Sequence, residues 1–572
     1  MKLIFEYIKR HWISFLLSTM FLTLEAAADL LQPTFMSYIV DRGIKNADVD
    51  RILHYGLIML CIAAVGAAGA LMRNYFSVRT SQTVALELRR DMYRSVQRLS
   101  LENIDVLQPA GIITRITNDV TQIQEFINSM MRMMVKAPIT CIGAVALIII
   151  QTPRQAPVLI VIIIIVSFLI LGNVKIGYPR FGRVQKKLDA LNAAAREFLS
   201  SVRVVKAFNA EEAEEKKFNA ASGELAAANT SALHANALFN PLINLAVNMG
   251  IVVLLYISRS QNAGEIGKLM ASVNYMTQVL FALTRIANVI NVAVRAMASS
   301  ARIQEVFDEK PAQPRAESPL SPEIRGNIKF DNVSFAYAIS AKDSLSGISL
   351  TVREGETLGI IGPTGAGKTT LINLIPRFYD ATEGAVYIDG CNVNSMDEHT
   401  LRAAVAVVPQ KALLFSGTIR DNLLWGKSDA TQAELDSACR TACADEFIKN
   451  TPNGYDSILG QGGVNLSGGQ KHRLSLARAL IRTPKILILD DCTSALDADT
   501  EARVLSGIRE TARGMSVLLI SQRISTVMKA DRILCLENGL MRGLGTHDEL
   551  MRICPLYREI YASQIGGEAD GN

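Results

Sequence analysis

Six long apolar stretches, at about 13–40, 53–78, 128–151, 156–176, 236–258 and 268–296, crowd into the first 305 of 572 residues. Each is long enough to cross a bilayer core, which takes about 20 mostly apolar residues in a helix. Inside hydrocarbon the backbone can bond only to itself, so such stretches are helical. Polar residues interrupt several of them, which predicts helices enclosing a wet cavity. After residue 325 the pattern changes to that of a soluble α/β protein. A chain of this length exceeds one hydrophobic core and demands at least two domains.

The connections give an orientation. The loops near 41–51, 151–156 and 261–267 are short or balanced in charge. The opposite side carries Arg79, Arg89, Arg90, Arg94 and Arg98 after the second stretch, and Lys175, Arg180, Arg183, Lys186, Lys187, Arg196, Arg203, Lys206, Lys216 and Lys217 after the fourth. Counting Lys and Arg alone makes that side cytosolic, and six spans then place both termini there. Leu188, Leu191, Phe198, Val202 and Val205 keep a helical rhythm, so the membrane helices should extend well into the cytosol, with turns near Pro109–Gly111 and Asn209–Glu215 at their tips. Met1–Trp12, with Lys2, Lys9 and Arg10 among apolar residues, reads as an amphipathic helix on the inner membrane surface, not a cleaved leader. A net charge of +5 gives no case for nucleic-acid binding. The eight cysteines are scattered, six of them in the soluble half, and are expected as free thiols.

Pro311, Pro314, Pro319 and Pro322 mark a linker. The boundaries are therefore a six-span membrane domain over 1–308, a linker over 309–326 and an α/β domain over 327–572. In the last of these, Gly362-Pro363-Thr364-Gly365-Ala366-Gly367-Lys368-Thr369, continued by Thr370, follows an apolar strand and opens a helix. That context makes it a phosphate-binding loop. Backbone N–H groups and the helix dipole face the phosphates; Lys368 reaches the β- and γ-phosphates and Thr369 suits Mg²⁺. Lys485–Asp491 is an apolar run ending in two acids. It reads as a buried parallel strand whose carboxyl edge sets Asp490 beside Mg²⁺. Leu466-Ser467-Gly468-Gly469-Gln470 opens a helix and makes a second anion site. Two γ-phosphate receptors in one chain suggest that one serves a nucleotide held by a partner.

On these motifs the sequence resembles an ATP-binding cassette exporter half-transporter over nearly its whole length. The resemblance implies two chains sandwiching two ATP molecules with Mg²⁺. Each site would combine the phosphate loop of one chain with the signature, here Leu466–Gln470, of the other. It implies that Tyr337 stacks on adenine and that Gln410 reaches Mg²⁺ and senses the membrane domain. It also implies that Ser494-Ala495-Leu496-Asp497 lies between the two ATP sites, and that Gly111–Asp119 and Val205–Glu211 couple the domains. The cargo it implies is a drug or lipophilic small molecule, exported across a bacterial plasma membrane.

Three positions depart from the family pattern. Asp491 stands where a catalytic glutamate polarises the attacking water, Gln522 where a switch histidine follows the next strand, and Gln461 where a glutamate precedes the signature. Aspartate is one methylene shorter, and a displacement on the order of 1 Å can cost roughly 100-fold in rate. Gln522 cannot become a cation near neutral pH. The expectation is a degenerate site that binds ATP and hydrolyses it weakly, beside an intact signature completing the competent site of a heterodimeric partner that carries Glu and His. A homodimeric lipid or peptide exporter and an ATP-gated regulatory subunit are the other readings. In the membrane half Glu25 and Asp29 sit one turn apart in the first span, either facing the cavity and attracting cations or paired internally with Arg73 or Arg285.

Overall fold

A computed structural model describes residues 1–153, 156–258, 266–314, 316–338, 340, 342–511 and 514–565. The chain divides into two compact units. One comprises Met1–Gln97 and Ala110–Asp308, the other Arg98–Pro109 and Glu309–Asn572.

The first unit is helical. Its long helices are Trp12–Tyr38, Val49–Arg98, Lys136–Gln151, Ala156–Ala207, Glu211–Ser258 and Ile266–Asp308. At about 1.5 Å per residue, the 52-residue helix Ala156–Ala207 is far longer than a hydrocarbon core needs, and its second half is polar. Five helical segments are long and apolar enough to cross a membrane: Trp12–Ile44, Val49–Arg98, Pro109–Gln151, Ala156–Ala207 and Glu211–Ile257. The sixth expected span, 268–296, falls within Ile266–Asp308, where the side chains at 284, 286–288, 290 and 291 lie outside the described residues. The same holds for most of the expected loop at 261–267 and for 154–155 of the loop at 151–156. Only 11% of the most apolar window of Val49–Arg98 is buried within the chain. That surface must therefore be covered by lipid or by another molecule. The N-terminal helix Lys2–Arg10 is amphipathic, but its apolar face, Leu3, Ile4, Tyr7 and Ile8, is buried by the protein itself, and the Tyr7 hydroxyl donates to Asp91 (2.8 Å). That face is thus unavailable to a membrane surface.

The second unit carries β1 (Ile328–Phe335), β2 (Leu345–Val352), β3 (Thr357–Ile361), β4 (Glu383–Ile388), β5 (Cys391–Asn392), β6 (Val405–Val408), β7 (Gly417–Thr418), β8 (Ile458–Leu459), β9 (Ile486–Asp490), β10 (Ser516–Ile520), β11 (Arg532–Glu537) and β12 (Leu540–Gly545). A six-stranded sheet runs β12-β11-β3-β10-β9-β6 and is parallel except for β12. Every residue of β9 and β10 is buried, as expected for central strands covered on both faces. An antiparallel sheet β2-β1-β4-β5 shares the core through Phe330, Ile348, Leu358 and Leu371. The helical subdomain has a second core around Leu423, Leu435, Cys439 and Leu474.

The unit boundary brings Arg98–Pro109 in with the nucleotide-binding unit. Asn103 donates to Glu309 (2.7 Å) and to the Lys310 carbonyl (3.0 Å), and accepts from Ala312 N–H (2.9 Å). The Tyr379 hydroxyl donates to Asp105 (2.7 Å). The linker is fixed in part by Arg377. Its buried guanidinium donates to both carboxylate oxygens of Asp380 (2.8 and 3.1 Å) and to the carbonyls of Pro314 (2.9 Å) and Asn394 (3.2 Å).

Candidate functional site

Four parallel strands deliver side chains to one sheet edge. β3 runs into the glycine-rich loop, β9 ends on Asp490, β10 leads to Gln522 and β6 leads to Gln410. Ligand sites of open parallel sheets form at this carboxyl edge. Here a cleft of about 200 Å³ is lined by Thr364–Thr370, Gln410, Asp490, Asp491 and Gln522, with Ser344 and Ile520.

Two of the loop's glycines are required by space. A Cβ on Gly362 would stand 2.0 Å from the Leu536 carbonyl oxygen, and one on Gly367, whose φ is +95°, 2.6 Å from that of Ser344. With Pro363 they hold the backbone close around the loop. Lys368 opens the helix Lys368–Asn373 and folds back, donating from Nζ to the carbonyls of Gly362 (2.7 Å) and Pro363 (2.8 Å). Burial pushes its pKa down, while Asp491 and Asp490 act in the opposite sense. The Thr369 hydroxyl donates to Asp490 Oδ2 (3.0 Å) and Oδ1 (3.2 Å). Burial holds the Asp490 carboxyl above the usual range, with Asp491 adding to the shift. Asp491 has a left-handed backbone, φ +48°, and Oδ1 is buried with no partner among the described residues. Burial raises its pKa, against hydrogen bonding from the Gln522 backbone and the Gln410 side chain. Two crowded, under-compensated carboxyls beside a threonine hydroxyl and a glutamine form a hard-oxygen set of the kind Mg²⁺ takes. Thr369, Asp490 and Gln410 would hold the ion.

Tyr337 sits beside this loop, its hydroxyl 3.2 Å from that of Thr370. Its ring meets Phe335 (4.8 Å) and Tyr379 (5.3 Å) edge-on. The signature lies elsewhere. Ser467 caps the helix Gly468–Leu480, accepting from Gln470 N–H, while Gln470 Oε1 accepts from Ser467 N–H (2.9 Å). Ser467 and Gly468 are exposed. None of Leu466–Gln470 and none of Ser494–Asp497 lines the cleft of this chain. The two segments pack on each other instead, since a Cβ on Gly469 would stand 3.0 Å from the Ala495 carbonyl. Ser494 Oγ donates to the Asp491 carbonyl (2.8 Å), and Asp497 accepts from Thr500 N–H (2.9 Å). Gln461, just before the signature, is exposed.

Residues 15–283 match the family model for the ABC transporter transmembrane region, and residues 345–494 the model for the ABC transporter. Over 547 residues, 95% of each chain, the sequence is 37% identical to the "Uncharacterized ABC transporter ATP-binding protein YfiB" of Bacillus subtilis (strain 168). The structure of a bacterial Atm1-family ABC exporter with ATP bound matches with a TM-score of 0.80 at 27% identity, covering 98% of both chains. This chain belongs to the ABC exporter family. It is an integral membrane protein with an ATP-binding, ATP-hydrolysing unit, and ABC exporters act as dimers. The multidrug efflux ATP-binding/permease protein Rv0194 of Mycobacterium tuberculosis (strain ATCC 25618 / H37Rv) is 32% identical over 93% of this chain, which spans 44% of that longer protein.

Two residues of the exporter's ATP unit escaped sequence reasoning. His472, on the signature helix, is half-buried with Nδ1 unpartnered among the described residues. Burial lowers its pKa and the charge of Asp491 opposes this. Arg523, next to Gln522, donates to Glu501 (2.9 Å) and to the carbonyls of Ser494 (3.3 Å) and Leu496 (3.4 Å). It ties the segment after β10 to Ser494–Asp497. A family comparison confined to motifs passes over both.

In the exporter's membrane unit, Glu25 is ion-paired with Arg73 and with Lys136 (2.6 Å each), and Asp29 with Lys136 (2.7 Å). Of the internal partners considered from sequence, Arg73 is present and Arg285 is absent from the described ion pairs. Lys136, 111 residues from Glu25 in sequence, was not foreseen. Asp119 is buried and bound by Ser299 (2.9 Å) and the Arg302 guanidinium, and Arg115 pairs with Glu305 (3.0 Å). The Gly111–Asp119 motif therefore fastens the third long segment to the last helix.

Proposed function

We propose that this chain is one half of a heterodimeric exporter of drugs or other lipophilic small molecules, carrying a degenerate ATP site of its own and lending its signature to the partner's competent site. Residues 1–308 form the membrane domain, 309–326 the linker and 327–572 the ATP-binding domain, which faces the cytosol of a bacterial cell with both termini. The observation that carries the reading is the pairing of Asp491 and Gln522 in one cleft with an exposed, capped Ser467 outside it. The similarity to a mycobacterial multidrug efflux protein supports the cargo class.

In this reading the phosphate loop, Lys368 and Tyr337 bind ATP, while Thr369, Gln410 and Asp490 hold Mg²⁺, which neutralises phosphate charge. Asp491 is set back from an attacking water by one methylene relative to glutamate, and Gln522 offers a neutral amide to the γ-phosphate. Binding is kept and the hydrolytic step is weakened. Ser467 with the N–H groups of Gly468 and Gly469 supplies donors to the partner's γ-phosphate. ATP binding closes the two ATP domains and opens the cavity outward; hydrolysis on the partner's side resets it. The paired state of Glu25 and Asp29 favours an internal structural role for both over a cation-attracting surface. The test is to purify this chain alone and with the half-transporter that co-purifies with it. Little ATPase is expected from the first and robust activity from the second. Fast turnover by the lone chain, indifferent to Ser467→Ala, would refute it.

A further inference from the structure

The helices Ala156–Ala207 and Glu211–Ser258 pack along each other and leave a cleft of about 680 Å³, lined by Arg180, Ala227, Thr230, Ser231, His234 and Ala235. It is an open, surface-facing cleft, with Ala227, Thr230, Ser231 and His234 exposed along it. Its place along the helices is specific. Arg180 comes four residues after the apolar stretch 156–176 ends, and His234 two residues before the stretch 236–258 begins. The cleft therefore stands at the edge of the hydrocarbon.

Its charge is one-sided. No Asp or Glu occurs from 156 to 188 or from 225 to 258, whereas Lys175, Arg180, Arg183, Lys186 and Lys187 occur in the first of these stretches. Of the five, Lys187 alone has a carboxylate partner among the described residues, Glu224 at 2.6 Å. Arg180 follows Pro179, and one of its amino groups donates to the Ile176 carbonyl (2.9 Å). A guanidinium has five N–H donors, so others remain for a ligand. The hydroxyls of Thr230 and Ser231 and the ring of His234 add further donors on the facing helix. Ala227 and Ala235 also line the cleft.

We propose that this cleft binds a phosphate-bearing anionic headgroup at the cytosolic edge of the bilayer, an inference that rests on the orientation given above for the charged loops. Basic pockets between membrane helices on this side suit such headgroups. The shared chemistry is a phosphate monoanion held by Arg180 and the Thr230, Ser231 and His234 donors. It arrives either on a lipid or as a free phosphate compound.

The test uses the full-length protein, with its co-purifying partner, in neutral detergent without ATP. Native mass spectrometry counts bound dioleoylphosphatidylglycerol against dioleoylphosphatidylcholine. The glycerol lipid should bind roughly tenfold better, and Arg180→Gln with His234→Gln should remove about that tenfold. Arg180→Lys should retain much of it. Lys216→Gln, at a cation already paired with Glu212, should change nothing. Ser231→Ala provides a second, milder variant should the double one fold poorly. Displacement of the lipid by millimolar inorganic phosphate assigns the site to free phosphate compounds, and resistance to it assigns the site to lipid; both support the site. Equal binding of the two lipids, or undiminished binding by the double variant, overturns it. Because the readout needs no ATP turnover, its failure is separable from failure of the exporter reading, which is scored by ATPase and flux.

Discussion

The ATP unit contains two places built to receive phosphate, and they differ in almost every physical respect. The phosphate loop is concave, flanked by Lys368 and by two buried acids, and needs glycine at 362 and 367 because a Cβ there would clash with a carbonyl oxygen. The signature is exposed, carries no ionised side chain within Leu466–Gln470, and rests on the Ser494–Asp497 segment. A receptor that encloses its ligand can be judged from its own lining. A receptor that presents capped N–H groups at a surface is incomplete until something is brought to it. The contrast explains how one chain can hold weak chemistry at the first place and lend sound chemistry at the second.

The largest effect should come from breaking the exposed receptor. Ser467→Arg fills the space over Gly468 and should lower phosphate release by the assembled exporter about 100-fold or more, the scale seen when transition-state donors are removed. Asp491→Asn, made in the enclosed receptor, should leave the same assay within about threefold. Equal losses from the two changes would erase the distinction. Next in size, Asp491→Glu with Gln522→His should raise hydrolysis at this chain's own site by about 10- to 100-fold, measured with the partner's catalytic glutamate changed to glutamine. No gain would mean that the site is weakened elsewhere.

Smaller effects sharpen the comparison through structure. Arg377→Ala leaves Asp380 and two carbonyls without their buried donor. It should cost about 3–5 kcal/mol, read as a lower thermal midpoint of the full chain without ATP. Tyr379→Phe keeps the ring beside Tyr337 and deletes the bond to Asp105. It should cost about 1 kcal/mol and increase hydrogen exchange across Arg98–Pro109, with ATP affinity little changed. Unaltered exchange there would show that the hydroxyl does not hold that segment.

The parts legible in sequence were those encoded locally. The phosphate loop follows its strand and opens its helix within a dozen residues, and Asp490 ends an unbroken apolar run. The structure sets both on one sheet edge. Gln410 and Gln522 were placed through family resemblance, and they line the same cleft because β6 and β10 lie on either side of β9. Juxtapositions across long sequence distances were not legible. Nothing near Glu25 points to Lys136, and nothing in Leu101–Leu107 announces that Asn103 and Asp105 bond to the linker and Tyr379. His472 differs again. Two residues past the signature it reads as a surface helix position, yet the helix packs against the sheet and turns that side chain inward, where its Nδ1 finds no partner among the described residues. The amphipathic start was legible as a pattern, although its apolar face proved to be covered by protein.

Where hydrolysis occurs is the most direct test of the unequal pair. The assembled exporter can be turned over with 8-azido-ATP, arrested with orthovanadate, photolysed and digested, and the trapped nucleotide assigned to a polypeptide. Label on the partner's polypeptide, lost when this chain carries Ser467→Arg, is the predicted result. Vanadate-dependent label on the peptide bearing Tyr337 of this chain, at equal or greater yield, would contradict it.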